Sequence, residues 1–239
     1  LLVRGLLDSA SVEQLVDDID HAFEAHDAFV GGASELETAP WFVPFEPGPD
    51  QSIPRTWIRQ GDGVLAVDSP RTLFDLIETF EQIGIRDLVS EYLGEPPVLL
   101  ANKWTLRRVP PGPDGHLDWH QDGAFLGADV RTVDVWLALS HCGVDAPGLD
   151  VVGQRFDGVV EVGTNGASFD WTVSEDTVQH LAPGKIFRPV FEPGDALILD
   201  HFLLHRTAYH VDMTRNRYAV EAWFAAPSAY PPTALPIAY

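Results

Sequence analysis

The spacing of apolar residues changes near Gly94, and this change restricts the possible folds more than any other feature of the chain. Before Gly94, apolar residues recur every three or four positions, which is typical of helices that bury one face. After Gly94, they alternate with polar residues in short runs separated by Gly and Pro, which is typical of strands. A helical part followed by about eight short strands predicts a β-sandwich or barrel with helices packed outside.

Three helices are predicted before Gly94. Ser11 and Gln14 have the spacing of a capping box, which predicts a helix start followed by an apolar stripe. The stripe consists of Val12, Leu15, Val16, Ile19 and Phe23. Ser69-Pro70 predicts the start of a second helix, because proline favours the first helical position. Its apolar side consists of Leu73, Phe74, Leu76, Ile77 and Phe80. A short third helix is predicted between Gly84 and Gly94.

The remaining segments are predicted to be irregular or extended. Residues 31–68 are rich in Gly, Pro and Asp, and we expect an irregular segment with four buried aromatic residues: Trp41, Phe42, Phe45 and Trp57. Residues 98–109, 132–140 and 159–162 are among the predicted strands. In 132–140, alternation predicts one face with Val133, Val135, Leu137 and Leu139, and another with Thr132, Asp134, Trp136 and Ala138.

Length and composition narrow the protein class. The 239 residues suit a single domain, with a helical and irregular part at 1–95, a β core at 96–228 and a tail at 229–239. The chain has 36 Asp and Glu against 15 Lys and Arg, a formal charge of -21, which disfavours binding to nucleic acid or to an anionic membrane. A single cysteine, Cys142, suits a reducing compartment, so we expect a cytoplasmic protein. The sequence carries no signal for an oligomeric state.

The pattern His-x-Asp is the first chemical signal. In a strand, residues two apart point to the same side, so an imidazole and a carboxylate can face one point. Together with a distant histidine, such a pair forms the facial triad of non-haem iron(II) oxygenases, which leaves coordination positions open. The pattern occurs at His116-Leu117-Asp118, His120-Gln121-Asp122 and His210-Val211-Asp212, so by itself it does not identify a site.

Two later windows strengthen this signal. Polar residues follow the apolar strand 196–199 in the run Asp200-His201-Phe202-Leu203-Leu204-His205-Arg206-Thr207, where the mouth of a barrel would place a site. Arg217, Ala219 and Glu221 then share one face of a strand. An inward guanidinium needs an anionic partner, and the far carboxylate of a dicarboxylate can bind it with two hydrogen bonds.

These windows together resemble the phytanoyl-CoA dioxygenase family of iron(II)/2-oxoglutarate-dependent oxygenases. The matching segments follow the family's order between residues 98 and 228. They are Trp119-His120-Gln121-Asp122-Gly123, Val135-Trp136-Leu137-Ala138-Leu139, Pro147-Gly148-Leu149 with Val151-Val152, the segment 194–205, and Arg217-Tyr218-Ala219. The resemblance implies a double-stranded β-helix barrel of the jelly-roll type, mainly β with flanking α-helices.

The resemblance also implies the cofactors and their residues. It assigns iron(II) to His120, Asp122 and His205, and the distal carboxylate of 2-oxoglutarate to Arg217, with Thr207 as a helper. Trp136 and Thr105 are further candidates for the co-substrate pocket, and dioxygen is the second co-substrate. The family's usual Pro-Gly-Ser-His turn is replaced here by 152–155. The clamp arginine is also one position later than usual, with Asn216 at the usual spacing, so Arg215 is the alternative to Arg217.

Several neighbouring polar residues compete for roles in this site. His201 competes with His205 as a ligand, and His116 and Asp118 could face the substrate. Arg107 or Arg108 could hold an anionic substrate group, although a solvated surface position is the expected role. We expect Trp119, Trp223 and Phe224 to pack in the barrel.

The expected activity is oxidation, most simply hydroxylation, of a C–H bond in a small molecule, with release of succinate and CO2. A natural-product intermediate fits the family's range of substrates. The presence of Asp122 favours this outcome over halogenation, because related halogenating enzymes have a small residue in its place. Two competing hypotheses are a non-catalytic protein that binds 2-oxoglutarate or metal on the same barrel, and an iron oxygenase that does not use 2-oxoglutarate.

Overall fold

The chain forms two antiparallel β-sheets with helices packed mainly against the larger sheet. The computed structural model describes residues 1–48, 53–112 and 118–239. The helices of this part are α1 (Ser9–Val30), α2 (Glu35–Thr38), α3 (Arg55–Gln60), α4 (Pro70–Gln82), α5 (Ile85–Leu93), α6 (Gly123–Leu126) and α7 (Glu175–Leu181), with a 3-10 turn at Ala66–Asp68. The strands are β1 (Leu2–Val3), β2 (Gly63–Leu65), β3 (Val98–Leu100), β4 (Thr105–Val109), β5 (Trp119–His120), β6 (Thr132–Ala138), β7 (Gly148–Val152), β8 (Thr172–Val173), β9 (Ile186–Phe187), β10 (Ala196–Asp200), β11 (His205–Ala208), β12 (Arg217–Ala225) and β13 (Pro236–Ala238).

The pairing order places the longest strands at the centre of each sheet. In the larger sheet the order is β1-β10-β6-β12-β3-β13, with β4 also paired to β12 and β2 paired to β4. In the smaller sheet the order is β8-β5-β11-β7-β9. β12 and β11 are therefore each flanked by partners on both sides, which holds their side chains in a defined register.

The alternation predicted for 132–140 is present, and it separates two cores. Val133, Val135 and Leu137 pack in the main core, together with apolar residues of α1, α4 and α5. Trp136 and Ala138 face the other way, into a second core shared with β7 of the smaller sheet. The space between the two sheets is thus lined by the residues of β6 that the pattern separates from the helical core.

The three predicted helices are present as α1, α4 and α5, but two details of the prediction are wrong. α1 begins two residues before Ser11, because Asp8 is its N-cap and accepts the Ser11 backbone N–H at 2.8 Å. The capping box predicted at Ser11 and Gln14 is therefore wrong. α4 begins at Pro70 as predicted, but Phe74 is 69% exposed, on the outer side of that helix. Among the described residues, no helix has the length and hydropathy of a segment that spans a bilayer.

Three predictions for the less regular segments are wrong. Of the four aromatic residues expected to be buried in 31–68, only Phe42 is buried, and Trp57 is 44% exposed. The predicted strand 98–109 is divided into β3 and β4 by a turn, which brings Trp104 into the core, where its indole N–H donates to the Trp223 carbonyl at 2.8 Å. Residues 159–162 form no strand.

Candidate metal centre and cavity

Strand pairing in the smaller sheet brings two histidines together. His120 on β5 lies directly opposite His205 on β11, and their ring centroids are 4.4 Å apart. Asp122 follows β5 at the start of α6, and its Oδ1 lies 3.8 Å from His120 Nε2. One potential ligand atom from each of the three residues lies within 4.8 Å of the other two. The three side chains can therefore reach one ion.

Each histidine is oriented by a hydrogen bond to the backbone two residues before it. His120 Nδ1 lies 2.9 Å from the Asp118 carbonyl, and His205 Nδ1 lies 3.0 Å from the Leu203 carbonyl. A carbonyl only accepts hydrogen bonds, so both Nδ1 atoms carry the proton. This leaves the lone pair of each Nε2 free for a metal, which is the usual outer-shell arrangement of ligating histidines.

Burial favours the uncharged form of both imidazoles. Burial and the neighbouring His205 lower the pKa of His120 to about 3. Burial also lowers the pKa of His205. Neutral imidazole is the form that binds metals, so the two rings need no deprotonation before they act as ligands at neutral pH.

Asp122 is the third potential metal ligand, and one of its carboxylate oxygens has no hydrogen-bond partner among the described residues. Burial, with Glu221 and Asp200 nearby, raises the pKa of Asp122 well above its usual range. Its Oδ2 has no hydrogen-bond partner among the described residues, although the side chain is almost fully buried. A divalent cation would supply the missing charge and the missing bond. Two neutral imidazoles and one unpartnered carboxylate fit iron(II) bound by a facial triad.

A cavity of about 270 Å³ lies between the sheets next to these three residues. Trp136, Thr105 and Thr207, which the sequence predicts to line the co-substrate pocket, all line this cavity. A small neighbouring space joins Thr207 to Arg217. The cavity therefore extends from the three potential ligands towards the start of β12.

Arg217 is buried, and it forms no ion pair with any acidic side chain in the part of the chain that the structure describes. It is 2% exposed, and its NH1 donates to the Gly148 carbonyl at 3.2 Å. Its guanidinium lies 5.7 Å from the centroid of the Trp136 ring. Arg217 Nε and Trp136 Nε1 have no hydrogen-bond partner among the described residues. By contrast, the Arg215 side chain is 66% exposed and lies 3.4 Å from Asp145. The unpartnered N–H groups of Arg217 and Trp136 suit a carboxylate, whereas the Arg215 side chain is directed to Asp145.

The other arginine candidates are engaged by the protein itself. Arg107 forms two hydrogen bonds to Glu221, at 2.9 and 2.8 Å, and a third to the Gly61 carbonyl at 2.7 Å. Although burial opposes it, Arg107 lowers the pKa of Glu221. A solvated surface position for Arg107 is therefore wrong. Arg108 is half-buried and binds Asp20 at 2.8 Å.

The side chains of two competing candidates, His201 and Asp118, do not join the group of three potential ligands. His201 is buried beneath Gly123, and its carbonyl accepts the Gly123 N–H at 2.8 Å; its side chain does not join the ligand group. The Asp118 carboxylate accepts the backbone N–H of Ser168 at 2.9 Å. His116 lies outside the described residues.

Sequence reasoning missed several residues that line the cavity. Asp134, Lys103, Phe125 and Trp171 were not proposed as site residues, yet all four line it. Asp134 had a signal, because it is a carboxylate at an inward position of an otherwise apolar strand. Trp171 had none, since it precedes β8 in a segment without a clear pattern.

Comparisons with known proteins agree with this architecture. The family model for phytanoyl-CoA dioxygenase (PhyH) matches residues 1–211. Among solved structures, the epimerase SnoN, in complex with Fe3+, alpha ketoglutarate and nogalamycin RO, has a TM-score of 0.61 at 15% identity, covering 98% of this chain and 81% of its own. The apo non-heme monooxygenase ThoJ has a TM-score of 0.61 at 16% identity, covering 100% and 80%.

A third structure is EvdO2 from Micromonospora carbonacea var. aurantiaca, complexed with 2-oxoglutarate. Its TM-score is 0.58 at 16% identity, covering 100% of this chain and 87% of its own. A search of curated proteins gave no match. At these identities the structural likeness shows the fold, and the predicted jelly-roll class, mainly β with flanking helices, is confirmed.

Proposed function

The chain belongs to the phytanoyl-CoA dioxygenase family, and from this premise we propose that it hydroxylates a C–H bond of a small molecule. As a member, it is a non-haem iron oxygenase that uses iron(II), 2-oxoglutarate and dioxygen. The observation that carries the site assignment is the convergence of three buried donor side chains, of which both histidines have only Nε2 free.

His120, Asp122 and His205 are the proposed iron ligands. The backbone hydrogen bonds fix the orientation of both rings, and the pairing of β5 with β11 fixes their separation. Asp122 supplies the negative charge, and occupies the position that an enzyme built for halogenation would leave to a halide. Three ligands on one side leave the other side to the co-substrates.

Arg217 is the proposed clamp for the distal carboxylate of 2-oxoglutarate. Arg217 Nε and Trp136 Nε1 are buried donors without a hydrogen-bond partner among the described residues, so this end of the cavity favours an anion. Thr207 lines both the main cavity and the small space next to Arg217. Thr105 donates its hydroxyl to the Lys103 carbonyl at 3.2 Å and can accept a hydrogen bond from a bound molecule.

When bound, iron(II) supplies the redox chemistry that couples conversion of 2-oxoglutarate to succinate and CO2 with oxidation of the substrate. The protein holds the co-substrate between Arg217 and the ligand group, and its apolar walls, such as Leu149 and Leu199, keep water out. The substrate enters from the side of Trp57 and Trp171 and presents its C–H bond to the free side of the triad. Similar folds serve an epimerase and a monooxygenase, and an intact carboxylate ligand supports hydroxylation here.

The substrate class proposed is a natural-product intermediate. The structurally similar SnoN is an epimerase from nogalamycin biosynthesis and was solved with nogalamycin RO. The strong negative charge of this chain adds weak support, because it disfavours a polyanionic coenzyme A ester.

The test is succinate formation from 2-oxoglutarate by purified protein supplied with iron(II). We expect Asp122→Ala and His205→Ala to abolish it and to abolish nickel(II) binding, measured by titration calorimetry. The matched control is the exposed pair His210 and Asp212, which has the same His-x-Asp pattern with its two groups 3.2 Å apart. His210→Ala and Asp212→Ala should keep both properties, whereas full activity in either triad variant would refute the ligand assignment.

A further inference from the structure

One buried carboxyl in the cavity is not used by the proposed chemistry. Asp134 is 4% exposed and lines the cavity from β6. Its Oδ1 has no hydrogen-bond partner among the described residues. Among those residues no cationic side chain forms an ion pair with it, since the nearby Arg107 is bound to Glu221. A buried acceptor without a partner is costly, so its place in a cavity indicates that a bound molecule supplies the hydrogen bond.

The strand register places Asp134 away from the end that holds 2-oxoglutarate. Asp134 lies opposite Trp223 on β12, six residues along the strand from Arg217. At a rise of about 3.3 Å per residue, the two positions are separated by about 20 Å along the sheet. 2-Oxoglutarate is much shorter than this distance. A co-substrate held by Arg217 therefore leaves Asp134 to the other occupant of the cavity, the substrate.

Three aromatic residues, Trp57, Phe125 and Trp171, line the cavity, and Phe169 packs against two of them. These four residues are named here the aromatic mouth. The rings of Phe169 and Trp171 stack 5.5 Å apart with an interplanar angle of 9°. Trp57 and Phe125 stand edge-on to Trp171, with centroids at 6.2 and 5.6 Å. Trp171 in turn contacts the His120 ring at 5.6 Å. The aromatic mouth thus continues to the proposed metal ligands.

Much of this aromatic surface faces solvent. Phe125 is 46% exposed and Phe169 is 41% exposed. The exposed ring surface offers a face on which another aromatic ring can stack, and a rigid ring loses little conformational freedom on binding. A flexible alkyl chain would gain less, because its rotatable bonds must be ordered on binding.

We propose that the substrate is a ring-bearing molecule whose ring packs in the aromatic mouth and whose hydroxyl or amino group donates a hydrogen bond to Asp134. This inference rests on the proposed function, since it takes the cavity beside the triad to be the substrate site. It assigns Asp134 to substrate binding and leaves the metal and 2-oxoglutarate to the other residues.

The test uses three matched probes: 2-naphthylmethanol, 2-naphthylmethylamine and 2-methylnaphthalene. Binding is measured by naphthalene fluorescence anisotropy on protein loaded with nickel(II) and 2-oxoglutarate, so that no turnover occurs. We expect at least one of the two donor-bearing probes to bind about tenfold more tightly than 2-methylnaphthalene, as one well-made hydrogen bond allows. The absence of this preference in the wild type, or of any binding, overturns the proposal.

Two variants locate the contacts. Asp134→Asn should reduce the preference to less than about threefold. The Ala222 backbone N–H donates to the Asp134 carboxyl, so the amide would keep its oxygen there and face the substrate with an NH2 group, which only donates. Asp18→Asn is the matched control, since Asp18 is another buried carboxyl with an unpartnered oxygen, on α1. Trp171→Leu should weaken binding of all three probes. A full preference in Asp134→Asn would overturn the assignment.

The same measurements distinguish a failure of this proposal from a failure of the proposed function. Nickel(II) and 2-oxoglutarate affinities are measured first, in the wild type and each variant. If the wild type binds neither nickel(II) nor 2-oxoglutarate, the result counts against the proposed function. Normal affinities for both, without discrimination between the probes, would overturn this proposal and leave the proposed function standing.

Discussion

At the scale of single residues, Arg217 gives the sharpest test of co-substrate use. We expect Arg217→Met to raise the KM for 2-oxoglutarate about 30-fold or more, because removing one partner of a buried charged pair costs roughly 2–5 kcal/mol. Succinate formation at increasing 2-oxoglutarate concentrations measures this. Arg215→Met is the control, since Arg215 is exposed on the same chain segment. An unchanged KM in Arg217→Met would remove this residue from the co-substrate site.

Asp18 gives a prediction about pH that is independent of the metal. It is fully buried on α1, and burial raises its pKa, opposed by a hydrogen bond from Gln14 and reinforced by Asp75. A raised pKa means that the folded state holds the proton more tightly, so this group's contribution to stability is lost as pH rises through the folded pKa. Asp18→Asn should therefore raise the free energy of unfolding more at pH 7 than at pH 3, by urea denaturation. An equal gain at both values would contradict it.

Individual site residues differed in how far the sequence could predict them. The resemblance to a family predicts His120, Asp122 and His205 as a group, and the structure brings them together. Alternation predicts that Asp134 shares a strand face with Trp136, and both residues line the cavity, but alternation does not say which residues of a face lack partners. That property depends on Arg107 being bound to Glu221, which joins two strands far apart in sequence.

At the scale of structural elements, the start of β7 controls the position of Arg217. The Gly148 carbonyl accepts from Arg217, and a Cβ added at Gly148 would lie 2.6 Å from Gly143 Cα. Backbone cannot move aside as easily as a side chain, so Gly148→Ala should displace this carbonyl. We expect a lower Tm and a weaker affinity for 2-oxoglutarate, measured by calorimetry.

Gly158 is the matched control for this substitution. An added Cβ there meets no atom within 4 Å. Gly158→Ala should therefore leave Tm and 2-oxoglutarate affinity close to the wild type. If Gly148→Ala behaves like Gly158→Ala, the close approach of β7 to the 143 turn does not position Arg217.

The helices whose ends are marked by proline or glycine were predicted best. Pro70 begins α4, and Gly84 and Gly94 flank α5 with φ of 77° and 72°, where glycine is favoured. The predictions were wrong where tertiary contacts, rather than the local sequence, determine the structure. Trp104 interrupts an otherwise continuous strand pattern because its indole is bound inside the core. The aromatic residue Trp57 stays exposed because it lines the cavity entrance rather than the core.

At the scale of the whole molecule, the charge of -21 produces self-repulsion that salt should relieve. Raising NaCl from about 0.01 M to about 0.15 M shortens the Debye length from about 30 Å to about 8 Å. We expect Tm at pH 7 to rise by about 2–4 °C, the shift that about 1 kcal/mol produces in a domain of this size. Near pH 4, where many carboxylates are protonated, the rise should be smaller. A rise of equal size at both pH values would contradict charge screening as its cause.

The pairing of His205 with His120 has a consequence for how the molecule reaches its active form. If β11 shifted by one residue, His205 and Thr207 would turn to the opposite side of the sheet and Arg206 would take the place of His205. Such a misaligned chain could still be compact, but it would lack the proposed set of metal ligands. Metal binding would then stabilise only molecules with the correct strand register. The ion would favour the native fold as well as serve catalysis.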